Sequence, residues 1–499
     1  MKKLALVFFL AILFLTACDR SNIERTPLTI PTTEELSTIL DTAFNRRQEI
    51  VRPDNEQLLS LVGERNFSLG QYNRLRNYTT ARRVSSDIAQ LDVEIFFSAL
   101  ANFYGPYFYF GGDEVFLPIK SNIIVALSQQ DYWYPQELAE LLHSYLSPHV
   151  IDGHFLIGGI RLHRRPTFFS YTGRFYRGEN GFVNSTNGAV ITSINLLCQP
   201  DLYFSVADSF RLSMCEAGDS FFYSLVISAG GQGGARMPRP ETVVLTHDNG
   251  LVTYVPIFYE NFLRMHPVPH VSLTYAQGFP VVTINSMATS IALDGTVEAE
   301  HAKRFLAYAE VVKDEPVIIL DLRGNIGGRG ELPVEWFYRV IGREIPLNVA
   351  TIIAYDEDRF NRRFSDSQGP LPHIYPAVRL DDNHMVNKPL DAMVQNDQLI
   401  IILTDRLTAS AGELATDIGL SLENVLIVGQ NTLGVYLTSA SSTVYTLPGS
   451  GMGFHFHFTV RAFPPGLFSE GRGFAPDIWV TGCALTATIN MLNNHIIRE

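Results

Sequence analysis

Short runs of consecutive apolar residues, rich in β-branched side chains, punctuate the second half of the chain. They are Val281-Val-Thr-Ile284, Pro316-Val-Ile-Ile-Leu320, Leu399-Ile-Ile-Ile-Leu403 and Val425-Leu-Ile-Val428. Such runs predict strands buried on both faces, as in the middle of a parallel sheet. Helical patterns fall between them, at Gly295 to Val312 and from Glu413 onward, so the alternation predicts an α/β core. Earlier in the chain the spacing changes. Ile88, Leu91, Ile95, Phe96, Leu100 and Phe103 recur at helical intervals, and Gln136 to Leu146 repeats the pattern, which predicts a small helical subdomain. Residues 155–265 change again, to β-rich runs such as Ala189-Val-Ile-Thr-Ser-Ile194 and Phe221-Phe-Tyr-Ser-Leu-Val-Ile227, separated by Gly and Asn turns. Gly230 to Pro240 reads as a linker by composition; it is not a phosphate loop, because no helix start or Lys-Ser/Thr follows.

Two of the core strands run into turns that carry chemistry. Asp321-Leu-Arg-Gly-Asn-Ile-Gly-Gly328 ends the second strand in a glycine-rich turn, where bare backbone can approach a ligand and aim N–H groups at it. Thr408-Ala-Ser-Ala-Gly-Glu413 leads from the third strand into a helix. A serine there is exposed beside the unpaired N–H groups of a helix start, a position suited to a nucleophile whose oxyanion needs backbone donors. Each half alone is common, and most such serines only cap helices.

In this order the two motifs resemble the catalytic core of the tail-specific (C-terminal processing) serine proteases, peptidase family S41. Gly429-Gln-Asn-Thr-Leu-Gly434, Glu470-Gly-Arg-Gly-Phe-Ala-Pro-Asp-Ile-Trp-Val480 and Asp152-Gly-His154 extend the likeness. It is good over residues 270–482 and patchy over 90–165. The resemblance implies an α/β core of ClpP/crotonase-like fold, with an N-terminal helical subdomain and a β-rich insertion. Many members carry a PDZ-like module there, and Gly188 to Asn195 faintly resembles its end, so a degenerate PDZ-like fold is one of two readings of that region. The implied organisation is 1–17 signal peptide, 18–85 tether and N-terminal segment, 86–165 helical subdomain, 166–265 β-rich region and 266–499 catalytic core.

The resemblance makes Ser410 the nucleophile, with Ala411 and either Gly327 or Gly328 supplying oxyanion N–H groups. The base is where this chain departs from the best-known branch. That branch places a lysine about twenty-five residues after the serine, where Val435 stands here; the chain has six lysines and none follows Lys388. A second branch, typified by tricorn protease, uses a histidine and a glutamate. Glu470 matches that glutamate, with a solvated loop carboxylate as the equal alternative. His154 leads the thirteen histidines as base, with a purely site-shaping histidine bonded to Asp152 or backbone as the plainer reading. Glu413 reads as an acidic residue compensating the helix N-terminus, and Arg323 and Asn325 as structural residues of the glycine turn. His455 and His457 share one face of a strand, but no acidic or cysteine partner follows, so no metal and no cofactor is expected.

Composition adds two limits. A net charge of −13 argues against nucleic acid as a partner. Lys2-Lys3, the apolar run Leu4 to Leu15 and Leu15-Thr-Ala-Cys18 read as a bacterial lipoprotein signal, with cleavage before Cys18 and lipid on its thiol. The expectation is a protein of the cell envelope, anchored by lipid and not spanning the membrane, that acts on peptides or proteins. Of the remaining cysteines, Cys198 and Cys215 either close a hairpin or stay free, and Cys483 is expected to be buried.

Overall fold

The computed structural model describes residues 24–62, 75, 80–162, 167–229, 242–259, 270–287, 297–345, 347–354, 378–379, 384–387, 393–439 and 444–497. The signal segment with Cys18, and the glycine linker at 230–240, lie outside the described residues. Helices used below are α1 (Glu34–Gln48), α2 (Ser86–Phe103), α3 (Gly112–Leu127), α4 (Pro135–Leu146), α5 (Val297–Val312), α6 (Glu331–Ile341), α7 (Ala411–Leu420) and α8 (Ala484–His495). Strands are β1 (Asp152–Ile157), β2 (Thr167–Gly178), β3 (Phe210–Met214), β4 (Phe221–Ala229), β5 (Val271–Ala276), β6 (Phe279–Ile284), β7 (Val317–Asp321), β8 (Leu399–Thr404), β9 (Val425–Gly429) and β10 (Ile478–Val480).

The four apolar runs become β6 to β9, which pair in parallel and in chain order. Their register puts Val281, Ile319, Ile401 and Leu426 in one cross-strand row. Because side chains alternate across a strand, each run feeds two cores. Val282, Ile284, Ile318, Leu320, Ile400, Ile402, Val425 and Ile427 pack under α5, α6 and α7. Val281, Val317, Ile319, Leu399, Ile401, Leu403, Leu426 and Val428 pack under α1 and α8. Burial on both faces is why these strands read as unbroken apolar runs. Asp477 fastens α1 to this layer: it accepts from Arg47 Nη2 at 2.5 Å and from the Ile427 N–H at 2.7 Å, and it pairs with Arg46.

The β-rich region does not stand apart from the core. The sheet continues past β9 in the order β9, β10, β3, β4, β2, with β3 parallel to β10 through Trp479 opposite Ser213. A separate four-stranded antiparallel sheet, ordered 252–256, 242–247, 191–196, 199–204, covers β2 to β4 through a core of Phe169, Phe175, Ile194, Phe210, Leu225, Val243 and Leu245.

Helices α2 and α4 occupy the spans their spacing predicts. Helix α3 carries Pro118 in its interior, which removes one backbone donor and hides the segment from a pattern reading. These three helices enclose an aromatic cluster with Phe155 of β1 and with Phe454 and Phe456, which alternate with His455 and His457. Cys198, Cys215 and Cys483 are free thiols. Cys483 is exposed, contrary to the expectation, because it stands at the N-terminus of α8 rather than inside a strand.

Candidate active site

Both chemistry-bearing turns leave the carboxyl ends of neighbouring parallel strands, where ligands bind in open α/β sheets. After β7 the chain is folded back on itself by its own side chains. Asp321 accepts from Arg323 Nε at 2.8 Å and Nη2 at 2.7 Å. Buried Asn325 donates from Nδ2 to the Ile284 carbonyl at 2.8 Å and accepts the Gly327 N–H at 2.9 Å. Arg323 and Asn325 therefore fix the turn, as the sequence suggests. The same bond engages the Gly327 N–H, so of the two glycines it is exposed Gly328 whose N–H is left to act on a ligand.

Gly327 has a different task. At φ +99°, a Cβ there would stand 2.6 Å from Ser410 Cβ and 3.0 Å from the Ala409 carbonyl. No side chain fits, and the glycine turn lies directly against the serine turn. The Ala409 N–H donates to the Asn325 carbonyl at 2.8 Å, which locks the two turns together.

Ser410 is part-buried at the start of α7, with φ +52° and ψ −109°. For a residue with a Cβ this conformation stores strain of about 1–3 kcal/mol and persists only where its surroundings enforce it. Its N–H donates to Glu413 Oε2 at 2.9 Å.

Glu413 is fully buried, and four donors converge on it. Thr432 Oγ1 and the Gly434 N–H reach Oε1, each at 2.7 Å; the Ser410 and Val435 N–H groups reach Oε2, each at 2.9 Å. Burial raises its pKa, and these hydrogen bonds hold the rise back. Glu470 is buried too, which removes the solvated-loop alternative. Its Oε2 accepts the Tyr436 and Leu437 N–H groups at 2.9 and 2.7 Å, and Oε1 accepts the Gly153 N–H at 3.0 Å. Four successive N–H groups, 434 to 437, are thus taken by two carboxylates. Burial, and then the negative charge of Asp152, push Glu470 well above the usual carboxylate range.

The Asp152-Gly153-His154 turn sits on the far side of the same loop. Asp152 is buried, accepting from Tyr104 Oη at 2.9 Å, Thr438 Oγ1 at 3.0 Å and the His154 N–H at 2.9 Å. A Cβ on Gly153 would lie 2.5 Å from both γ-carbons of Val435, so Val435 packs flat on the histidine-bearing turn. Val435 also clusters with Ala409 and Leu433, next to Ser410. The structure thus brings Ser410, Glu413, Val435, Glu470 and the His154 turn around one loop. Glu470 reaches the His154 turn through the Gly153 N–H, and its three hydrogen bonds come from main-chain N–H groups, not from an imidazole.

Sequence reasoning passed over Asp417, one helical turn beyond Glu413 and fully buried. It accepts the Asn348 N–H at 3.2 Å and faces Tyr436 Oη at 3.4 Å. Burial, only partly offset by Asn348, Arg461 and Tyr436, raises its pKa to about 7. An acid whose folded pKa lies above its unfolded value resists ionisation in the fold. Its contribution to stability is intact below pH ~4 and declines by up to about 1.4 kcal/mol per pH unit until pH ~7. Asp417→Asn keeps the shape and removes that titration. Urea denaturation at pH 5 and 7.5 should show a shallower fall for the variant, which becomes the more stable protein at pH 7.5. Identical pH slopes would rule the assignment out.

Residues 280–480 match the family model described as peptidase family S41. Among solved structures, the chain is similar to mature CPAF complexed with lactacystin, at 14% identity and a TM-score of 0.43, covering 82% of this chain and 96% of that one. It is also similar to the photosystem II D1 C-terminal processing protease, at 13% identity and a TM-score of 0.35, covering 78% and 92%. Tricorn protease is similar at 12% identity and a TM-score of 0.31, covering 82% of this chain and 36% of that one. No match was found among curated proteins.

Proposed function

We propose, from the premise that residues 280–480 belong to peptidase family S41, that this chain is a serine endopeptidase working through an acyl-enzyme on Ser410. The observation that carries the reading is the strained serine at the start of α7, pressed against the glycine turn of β7. In this reading His154 takes the proton as Ser410 Oγ attacks the peptide carbonyl, then gives it to the leaving amine. Gly328 and Ala411 N–H groups receive the oxyanion. Water, deprotonated by the same imidazole, releases the acyl group. Glu470 serves by holding the His154 turn through Gly153, and Val435 gives the site an apolar wall where a lysine would be the base. The test is to incubate the purified protein with an unstructured polypeptide and read new termini by mass spectrometry. Internal cleavage is expected, and an intact polypeptide at equimolar protein would contradict the reading.

A second reading has its own observation. Apolar Val435 packs beside Ser410 where a lysine would be the base, as suits an inactive scaffold that binds peptides.

The lipobox-like Leu15-Thr-Ala-Cys18 supports placing the mature protein outside the cytoplasm in a bacterial envelope, held by lipid on Cys18. Fatty-acid labelling in a bacterial host should depend on that thiol. A Cys18→Ser variant that labels as well as the wild type would remove the anchor.

A further inference from the structure

We infer that Glu413 is a positioning residue that holds Ser410 in its strained conformation, and thereby keeps the Ala411 and Gly328 N–H groups facing one point; the inference rests on Ser410 being the nucleophile. An acidic side chain that only compensates a helix start faces solvent or the first-turn N–H groups of its own helix. Glu413 does more: it accepts the N–H of the N-cap Ser410, as the acid of a capping box does, and it also reaches beyond its own helix. It is fully buried, and three of its four donors, Thr432 Oγ1 and the Gly434 and Val435 N–H groups, come from the loop after β9. The fourth is the N–H of Ser410 itself.

The carboxylate therefore ties the serine turn to a loop that β9 and Glu470 hold in place. Ser410 is one of two non-glycine residues with positive φ among the described residues. The other, Gln277, precedes Gly278 in the two-residue turn between β5 and β6, where such a conformation is ordinary. At Ser410 no hairpin supplies the reason. Gly327 leaves room for the conformation, but makes no hydrogen bond to Ser410 that would enforce it. The Glu413 bond to the Ser410 N–H does.

Only an ionised carboxylate can accept from four donors on two oxygens, since an amide presents N–H groups on one side. This explains an acidic residue kept in a site that burial makes costly for it. Glu413→Ala removes both oxygens, while Glu413→Gln keeps the shape and one acceptor. The measurements are the second-order rate of labelling by a fluorophosphonate, the kcat and KM for a peptide, and a crystal structure of each variant. Glu413→Ala should label about 10²-fold more slowly, the size of effect expected when a reacting group is misplaced by an ångström. Its kcat should fall with KM nearly unchanged, and Ser410 φ should relax to a negative value. Glu413→Gln should lie between it and the wild type, and decides the matter alone if the alanine variant does not fold. A folded variant with Ser410 φ still near +52° overturns the inference, whether or not the wild type labels. A wild type that fails to label, beside variants whose Ser410 has relaxed, would instead overturn the nucleophile and leave the positioning standing.

Discussion

Replacing Ser410 with alanine should abolish peptide cleavage, with kcat falling by several powers of ten and the fold intact. The size follows from the chemistry. Without the hydroxyl there is no acyl-enzyme, and what remains is water attack helped by the oxyanion N–H groups and by substrate binding, as when the nucleophile of a catalytic triad is removed. The fold should tolerate the change. Alanine has a Cβ like serine, so the positive φ costs it about the same, and the backbone N–H at position 410 still donates to Glu413. A thermal melt beside the assay separates the two effects. Turnover by the variant equal to that of the wild type would mean that Ser410 is a helix cap and nothing more.

The second large effect is expected at His154. Removing a general base costs roughly 10²–10⁴-fold in kcat. His154→Ala should show a loss of that order with KM little changed, and added imidazole should restore part of the rate. Rescue by a free base is a response that a merely structural histidine would not give. A kcat within a factor of about three of wild type would remove His154 from the chemistry and point to another group. The surroundings constrain the reading. Gly153 is held by Glu470 on its N–H, by Arg161 on its carbonyl at 2.6 Å and by Val435 on its Cα, so the turn that carries His154 is fixed from three sides.

Much of this was legible in the sequence because the informative positions are set locally. Strands β6 to β9 are buried on both faces, so their apolar runs needed no knowledge of partners. The serine turn was legible because a strand pattern, a small-residue turn and a helix pattern follow one another within about twenty residues. What stayed hidden depends on contacts between distant segments. The joining of β3 to β10 pairs Ser213 with Trp479, and nothing near either residue signals it. The donors that Glu413 and Glu470 share are main-chain N–H groups of 434 to 437, which any four residues would supply. The Thr408-to-Glu413 spacing did carry a signal, since an acid three residues after a serine marks a capping box. Read alone it suggested a helix start, and only the fold shows the loop that the acid also holds. Cys483 was misplaced because an apolar neighbourhood in sequence ended, in space, at the exposed start of α8.

The central claim is that Ser410 is an activated nucleophile, and covalent labelling tests it most directly. Purified protein treated with a fluorophosphonate, digested and analysed by mass spectrometry, should carry the adduct on Ser410, with none on the Ser410→Ala protein. A folded wild-type protein left unmodified under conditions that label a known serine hydrolase to completion would contradict the claim and favour the inactive scaffold.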